Sequence, residues 1–396
     1  MVVYFIAPVA LLLLDKLDQG YLHLEKRGLE YLFLVFAAFI LCGGYMTGSD
    51  WRSYELLYDD ITIRTVTSSA REWLFYLYML AFKMLGVGFF NFLIFTKIVV
   101  FIEITRFFIK YSRNDFFCLF FFLSYSTFSL FLFVDNPLRF MIAYGIVLLA
   151  FENALNNRPL KFAVLVLIAC LFHISAIIIL PAYFIRRNKL SKLFLIVAYS
   201  IFFFGFSTDL VLSLLNVMSS FIPALKLLLW PYMLSSRAID NSVISIGSLF
   251  NYFLFIFIVN EEEKIECSPY GQKVFALTIL YFILFKIGIV FATAFRLALY
   301  FVPFLILSLS IAFAHRGKVL SLAKGMVVLY LLLSLYQNVY NSWAYYPYSN
   351  YLFSRIPGEK DYIYRSDYNK DQYKERFGKY PETIDYSKLR EINDAK

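Results

Sequence analysis

Three ionisable side chains stand inside long apolar stretches of this 396-residue sequence. Arg139 follows Asn136 and Pro137 at the start of one stretch, His173 is centred in LIACLFHISAIII, and Arg296 is embedded in IVFATAFRLALYFVPF. Burying an ionisable group among apolar residues costs free energy, so a sequence that keeps such a group is expected to use it. These three residues are therefore the first functional candidates.

Each of the three side chains suits a particular chemistry. Arg139 and Arg296 are both expected to be partly buried. The planar donors of their guanidinium groups fit phosphate oxygens and could bind an anionic headgroup such as a lipid diphosphate. The alternative is that each arginine extends to an interface or pairs with a carboxylate such as Asp135. His173 could donate, accept or transfer a proton, although it could equally be a neutral core histidine bonded to a neighbouring helix.

A further candidate is the polar run GSDWRSYELLYDD, in which Asp50, Tyr54 and Tyr58 recur every four residues. On a helix this spacing places the three side chains on one face. Carboxylates and aromatic rings together commonly bind sugars, and a carboxylate can act as a general base on a hydroxyl. Arg52 in the same run is a further substrate-binding candidate, and Glu72 is a further candidate base. A simply solvated acidic loop is the alternative.

Membrane helices must position these residues, because the chain is 61% hydrophobic and 20% aromatic, far more apolar than a soluble domain. One crossing takes about 20 apolar residues. The sequence thus predicts an all-α polytopic transmembrane helical bundle of about 10–12 spans. The candidate spans are 2–14, 29–47, 89–108, 116–134, 138–155, 160–184, 191–207, 210–230, 244–260, 273–294, 296–314 and 319–341.

Two segments do not fit a simple crossing. The apolar run 73–85 is short and flanked by charged residues, which predicts an interfacial or re-entrant segment. The run 160–184 has basic clusters at both of its ends and His173 in its middle. A helix broken near His173, with both ends on one face of the membrane, would explain that pattern.

The distribution of Lys and Arg predicts the orientation of the chain. Three short basic segments are expected in the cytoplasm: 15–28, 106–113 and 158–161. The long loop 48–72 and the turn 135–139 are then external, provided that the 73–85 segment does not cross. We expect two parts, a transmembrane domain over 1–345 that includes this loop and a polar tail over 346–396.

Several classes of protein are disfavoured by the sequence. The net charge of +9 is concentrated in segments between apolar runs, so it indicates membrane topology and no nucleic-acid partner. The four cysteines show no CxxC or CxxH spacing, which disfavours a metal site and a disulfide framework. Fingerprints of nucleotide-binding, zinc-protease and serine-hydrolase sites are missing from the sequence, and no cofactor is expected.

Five stretches of the sequence resemble one family, the EpsG-like branch of the Wzy polysaccharide polymerases. GSDWRSYELLYDD is similar to the family's G-T-D-x-x-x-Y pattern, NPLRFMIAYGIVLLA to its I-R-Q-x-x-A segment, and IACLFHISAIIILPAYFI to its A-x-x-F-H-x-S-A segment. AFRLALYFVPFLI resembles the late Arg-then-aromatic span, and YYPYSNYLF the closing Pro-Tyr element. The matching residues are Asp50, Tyr54, Arg139, His173, Ser175 and Arg296.

The resemblance implies a GT-C-like membrane glycosyltransferase in the bacterial inner membrane. It would transfer a growing O-antigen or exopolysaccharide chain from polyprenyl diphosphate to the next lipid-linked repeat at the periplasmic face, with a chain-length regulator protein as a further partner. Arginines could stabilise the diphosphate without a metal, and the base is left open among Asp50, Glu72 and His173. The alternatives are a flippase or transporter of the lipid-linked sugar, a related glycan ligase, and a non-catalytic scaffold.

Overall fold

The apolar runs of the sequence form helices. A computed structural model describes residues 2–18, 26–68, 72–112, 114–185, 190–207, 245–291, 294–315, 317–353 and 361–378, together with residues 213 and 217. Within these residues the secondary structure is helical, apart from one isolated β-bridge between Gly44 and Asn350. The prediction of an all-α polytopic helical protein is confirmed.

The helices of the first half include two that are not regular α-helices. Their bounds, in chain order, are α1 Val3–Asp18, α2 Lys26–Cys42, α3 Trp51–Asp60, α4 Ile63–Ser68, α5 Trp73–Met84, α6 Phe89–Tyr111, α7 Asp115–Ser124, α8 Ser126–Leu130, a π-helix Phe131–Asp135, α9 Leu138–Leu155, α10 Pro159–Phe172 and a 3-10 helix Ile174–Tyr183.

The helices of the second half include the most buried one. Their bounds are α11 Lys192–Gly205, α12 Ile246–Asn260, α13 Glu262–Glu266, α14 Gly271–Val290, α15 Phe295–Leu299, α16 Val302–Phe313, α17 Lys318–Asn341 and α18 Asp361–Phe377. Every residue of α16 is buried, as are nine of the ten residues of α7. A helix that is apolar on all sides belongs in the interior of a bundle, and these two helices contribute to its core.

Three of the described helices are long and apolar enough to cross a membrane: α9, α14 and α17. A fourth crossing is added if α7 and the following segment to Asp135, bent by 66°, form one broken span. Seven further apolar helices have 10–17 residues. The figure of ten to twelve crossings stays a prediction, and the candidate span 210–230 lies outside the described residues apart from two positions.

Two ends of the bundle are defined by contacts between the predicted loops. At the loop end, which carries residues 48–72, the Asp50 amide donates to the Asp135 carbonyl at 3.3 Å, so the 135–139 turn lies on the same side as predicted. At the basic end, which carries 106–113 and 158–161, Lys110 Nζ lies 3.0 Å from Glu152 Oε2. Helix α9 runs between the two ends.

The short apolar segment 73–85 begins and ends at the loop end. Its helix, α5, has only 12 residues. Glu72, immediately before α5, contacts Arg139 at the start of α9, and Lys83 near its end donates to the Ile61 carbonyl at 3.2 Å. Both ends of this single helix therefore contact residues of the loop end, an arrangement that fits an interfacial element.

The segment 160–184 is a re-entrant hairpin broken at His173, as its charge pattern predicted. Helix α10 ends at Phe172, His173 is extended with φ −154° and ψ 115°, and a 3-10 helix follows. Near the two outer ends of the hairpin, the rings of Phe162 and Tyr183 are 5.3 Å apart. The hairpin thus enters from the basic end, carries His173 to its tip, and returns.

The polar tail contributes a helix at the loop end. Asn369 of α18 donates to the Met46 carbonyl at 2.9 Å, and the Tyr373 hydroxyl donates to the Ser49 carbonyl. These contacts hold the backbone that leads into Asp50. The division of the chain into 1–345 and 346–396 stays a prediction.

Candidate active site

Glu72 joins two of the predicted residues at the loop end. Its Oε1 accepts a hydrogen bond from His173 Nδ1 at 2.7 Å and another from the Ile174 amide at 3.0 Å. Its Oε2 accepts from Arg139 Nη1 at 2.9 Å. Three segments that are distant in sequence, the end of the 48–72 loop, the start of α9 and the tip of the re-entrant hairpin, therefore meet at one carboxylate.

Local backbone geometry places each member of this cluster. Glu72 has φ 56° and precedes α5, a left-handed conformation that costs free energy in a residue other than glycine. Asn136 also has a positive φ, 63°, and its amide donates to the Thr47 carbonyl at 2.8 Å. This turn begins α9 at the loop end, so that Arg139 lies in the first turn of the helix.

Gly48 allows the loop to approach that turn closely. Its φ is 85°, and a Cβ atom at this position would stand 1.8 Å from the Val134 carbonyl oxygen. Its amide donates to the Ala344 carbonyl at 3.0 Å. Only glycine fits this conformation and this contact, which brings Asp50 beside the start of α9.

Arg139 is held on several sides, and one of its buried donors has no partner in the described part of the chain. Besides Glu72, its Nη2 donates to the Tyr76 hydroxyl at 3.1 Å, and its guanidinium carbon lies 5.2 Å from the ring centres of Phe75 and Tyr76. Its buried Nε has no hydrogen-bond partner among the described residues. A buried donor without a partner is costly and is suited to an incoming anion.

Aromatic side chains surround His173. Phe140 lies edge-on to the imidazole with ring centres 6.0 Å apart, and it also contacts the fully buried Tyr300 at 4.8 Å. The Tyr300 hydroxyl lies 3.1 Å from the Ser175 hydroxyl. The predicted pair His173 and Ser175 therefore shares one wall with residues of α9 and of the segment after α15.

Electrostatics fix the state of Glu72, whose side chain is only 10% exposed. Burial by itself raises the pKa of Glu72, but hydrogen bonds from His173, the Ile174 amide and Arg139 outweigh it and lower the pKa to about 2. The carboxylate is thus ionised at neutral pH and accepts hydrogen bonds only. The ionised carboxylate can only accept, so His173 Nδ1 must donate the hydrogen bond between them. The other ring nitrogen, Nε2, has no hydrogen-bond partner among the described residues.

The positive charges of Arg139 and Arg296 affect the pKa values of nearby residues in the 48–72 loop. Burial raises the pKa of Asp50, while a hydrogen bond from Ser49 and the charge of Arg296 oppose the rise. Burial likewise raises the pKa of Tyr54 to about 12, against the charges of Arg139 and Arg296. Arg296 thus acts on both residues and Arg139 on Tyr54, which is consistent with one charged region at the loop end.

The expectation that Arg296 is buried is wrong. The predicted span 296–314 is not one helix from Arg296 onward. The arginine lies on the short helix α15, Phe295–Leu299, and the long buried helix α16 begins only at Val302. Arg296 is exposed there, with its guanidinium carbon 5.8 Å from the Phe131 ring centre. In the described part of the chain, no carboxylate lies within ion-pair distance of it.

Other predicted residues have different partners from those expected. Arg52 pairs with Glu55 within α3 and is not among the described partners of Glu72, Arg139 or His173. Tyr58 is buried, donates to the Val87 carbonyl at 2.6 Å and serves packing. Asp135, the carboxylate considered for Arg139, instead accepts from the Tyr345 hydroxyl at 2.6 Å.

Four aromatic residues of the site were not predicted: Phe75, Tyr76, Phe140 and Tyr300. In a chain with 46 Phe and 31 Tyr, their residue type carries no signal. The described residues contain no group of three or more His, Cys, Asp or Glu side chains that could hold a metal ion. The chemistry of this site is that of two arginines, one histidine and two carboxylates.

Fold and site together define an all-helical membrane protein with a charged cluster at one end of its bundle. The chain belongs to the EpsG family, whose model matches residues 29–352, and the resemblance seen in the sequence is thereby confirmed. No curated protein and no solved structure matches the chain. Membership of this family suggests a polysaccharide polymerase-like role.

Proposed function

We propose that this protein is a glycosyltransferase that polymerises lipid-linked oligosaccharide repeat units. It transfers the growing glycan from a polyprenyl diphosphate to the next lipid-linked repeat at the periplasmic face of a bacterial inner membrane. The observation that carries the proposal is the meeting of Arg139 and His173 on Glu72, in a chain of the EpsG family.

The reaction exchanges one bond at the anomeric carbon. A hydroxyl oxygen of the acceptor sugar attacks that carbon, the bond from the carbon to the diphosphate oxygen breaks, and the lipid diphosphate leaves with the bonding electron pair. The hydroxyl proton passes to a base. The protein must therefore stabilise negative charge on the diphosphate and supply a proton acceptor near the hydroxyl.

His173 is the proton acceptor in this proposal. The ionised Glu72 accepts a hydrogen bond from the Nδ1–H group, so the neutral imidazole keeps its free electron pair on Nε2. Glu72 has three donors and a lowered pKa, which makes it a poor base and a good positioning residue. This is the general arrangement in which a carboxylate orients a catalytic histidine.

Arg139 and Arg296 bind the diphosphate. Arg139 offers its unpartnered Nε, and Arg296 is exposed and lacks a carboxylate partner among the described residues. Planar guanidinium groups bind phosphate oxygens through paired hydrogen bonds, and fixed positive charges stabilise the leaving group as its charge develops. No metal ion is required for that step.

Asp50, Tyr54 and Ser175 contact the sugars in this proposal. Asp50 offers a carboxylate whose described hydrogen bond is with Ser49, and the Tyr54 ring lies 5.7 Å from that of Phe75, which in turn contacts Arg139. Carboxylates accept hydrogen bonds from sugar hydroxyls. Arg52, tied to Glu55, is assigned no part in the diphosphate contact.

The test uses purified protein in phosphatidylcholine vesicles with a synthetic lipid-linked repeat. Wild-type protein should give a ladder of longer glycans on the lipid. His173→Gln should slow ladder formation by roughly 10²- to 10⁴-fold, the usual contribution of a general base, because an amide can bond to Glu72 but cannot take the proton.

His315→Gln is the matched control. His315 is exposed and follows the end of α16, whereas Tyr300 of the site lies just before the start of that helix. It should leave the ladder unchanged. If His173→Gln polymerises at the normal rate, the base lies elsewhere and Asp50 is the next residue to replace. If wild-type protein gives no ladder with any lipid-linked repeat, the proposed activity is wrong.

A further inference from the structure

A groove between α6 and α9 begins one helical turn from Arg139. It has a volume of about 480 Å³ and is lined on the α9 side by Ile142, Gly145, Ile146 and Leu149. Counted from Arg139, positions 142, 146 and 149 follow helical spacing, so they lie below the arginine on the same face of α9. The groove therefore continues from the site toward the basic end.

Most of the lining of this groove is apolar, Tyr78, Thr96 and Glu103 being its polar members, and the groove is open on one side. Val99 and Ile102 on α6 are 51% and 57% exposed, on surfaces that a bilayer would cover. At Gly145, a Cβ atom would stand 3.3 Å from a methyl group of Val100, so the two helices approach closely and close the groove from behind. A flexible apolar chain can enter from the lipid and lie along it.

We infer that this groove holds the first isoprene units of the polyprenyl chain whose diphosphate Arg139 binds. The inference rests on the proposed function. A substrate with an anion at one end and a long apolar tail must direct that tail into the membrane from the anion site. The lining of this groove begins at Ile142, one helical turn from Arg139 on the same face of α9. From Ile142 to Leu149 the groove follows about 10 Å of helix, so the remaining chain extends into the bilayer.

A second, larger groove provides the internal comparison. It lies between α2 and α6, has a volume of about 960 Å³ and is lined by Ala38, Ile98 and their neighbours. Its described lining includes no residue of α9 or of the re-entrant hairpin. Like the first groove it is mostly apolar, with Arg106 and Lys110 in its lining at the basic end. It does not touch the helix that carries Arg139, so it serves as the control.

The experiment uses a sugar-free polyprenyl diphosphate with a photoreactive diazirine in its first isoprene units. In phosphatidylcholine vesicles, wild-type protein should be labelled on α6 and α9 along the first groove, as mapped by mass spectrometry of peptides. Ile146→Trp, which fills this groove, should reduce that labelling roughly ten-fold. Ile98→Trp, which fills the second groove, should leave it unchanged.

Two results would overturn the inference: labelling concentrated on α2, or an equal loss in both tryptophan variants. A polymerisation assay adds an independent criterion. Ile146→Trp should raise KM for a long-chain lipid-linked repeat roughly ten-fold and leave KM unchanged for an analogue whose diphosphate carries a methyl group in place of the polyprenyl chain. An equal rise for both substrates would show that the substitution acts on the site and not on the tail, and would also overturn the inference.

The two proposals can fail separately. Labelling of the first groove without any glycan ladder from wild-type protein would reject the polymerase activity and retain the lipid site. A glycan ladder without labelling of the groove would retain the polymerase activity and reject the lipid site.

Discussion

Two glutamates at opposite ends of the bundle form similar bridges in different surroundings. At the basic end, Glu152 accepts from Arg106 Nη2 at 2.6 Å and from Lys110 Nζ at 3.0 Å. At the loop end, Glu72 accepts from an arginine and a histidine. The two side chains are almost equally shielded, at 12% and 10% exposed. Burial and bridging alone therefore do not distinguish a functional carboxylate from a structural one.

The difference lies in the donors that remain unused. Arg106 Nε donates to Glu103 Oε2 at 2.9 Å, so that arginine is bound on two sides by carboxylates. Arg139 Nε is buried and has no partner in the described part of the chain. Arg296, in the same region, lacks a carboxylate partner there as well.

Ion pairs in which each charged group has its hydrogen-bond partners stabilise a fold. Buried donors without partners are instead expected where a ligand binds. The basic end has the first arrangement and the loop end the second. The buried Nζ atoms of Lys97 and Lys286 also lack hydrogen-bond partners among the described residues, so an unpartnered donor alone does not identify a site. At the loop end such a donor lies beside Glu72 and His173, and this combination supports the anion site proposed there.

Among the substitutions that test this comparison of the two ends, Glu72→Gln is expected to have the largest effect. The amide keeps the shape of the side chain but loses the charge that holds both Arg139 and His173, and its nitrogen cannot accept a hydrogen bond. The rate of glycan ladder formation should fall roughly 10²- to 10³-fold, as when a preorganised electrostatic contact is lost. The measurement is the initial rate at equal amounts of folded protein. A change of less than about three-fold would show that Glu72 does not organise catalysis.

A smaller effect is expected from Arg296→Lys, which keeps the charge and removes the planar fork of donors. If Arg296 binds the diphosphate, the substitution should weaken binding of a sugar-free polyprenyl diphosphate by roughly ten-fold. Vesicle-based binding titration is the measurement, and Arg106→Lys at the basic end is the matched control. Equal binding by Arg296→Lys and wild-type protein would remove Arg296 from the anion site.

Much of this site could be predicted from local patterns in the sequence. The break at His173 followed from basic residues at both ends of one apolar run, because positive charge remains on the side from which a segment enters. The shortness of the 73–85 run predicted that it would not cross. Both rules concern the interaction of a segment with the bilayer, so neither needs knowledge of tertiary packing.

The partners of these residues could not be predicted in this way. Glu72 and His173 are 101 positions apart, and no periodicity relates them. Glu72 was proposed as a base, whereas its three donors and lowered pKa make it a positioning residue in the proposed mechanism. The exposure of Arg296 was missed because the apolar residues on both sides of it favoured a buried span from 296 to 314, whereas the buried helix α16 begins only at Val302.

The next prediction concerns the pH dependence of stability. The pKa of Glu72 falls from an ordinary value of 4.5 to about 2 in the folded protein. The stabilisation from ionised Glu72 is therefore fully present above pH 4.5 and is lost as the pH falls toward 2. In detergent, the difference in Tm between wild-type protein and Glu72→Gln should be constant from pH 7 to about 5 and shrink below it. A difference that persists undiminished at pH 3 would contradict the lowered pKa.

The smallest effect is expected from Glu152→Gln, the counterpart of Glu72→Gln at the basic end. Glu103 remains to bind Arg106 after the substitution, and Lys110 is already half-exposed, so water can replace its partner. Stability should fall by about 1 kcal/mol, while the rate of ladder formation should change by less than about two-fold. Denaturation in detergent and the vesicle assay measure the two quantities on the same preparation. If Glu152→Gln slowed polymerisation as much as Glu72→Gln, the two bridges would be functionally equivalent and unused donors would not mark the site. If only Glu72→Gln is slow, the distinction holds, since the two substitutions remove the same charge from equally shielded glutamates.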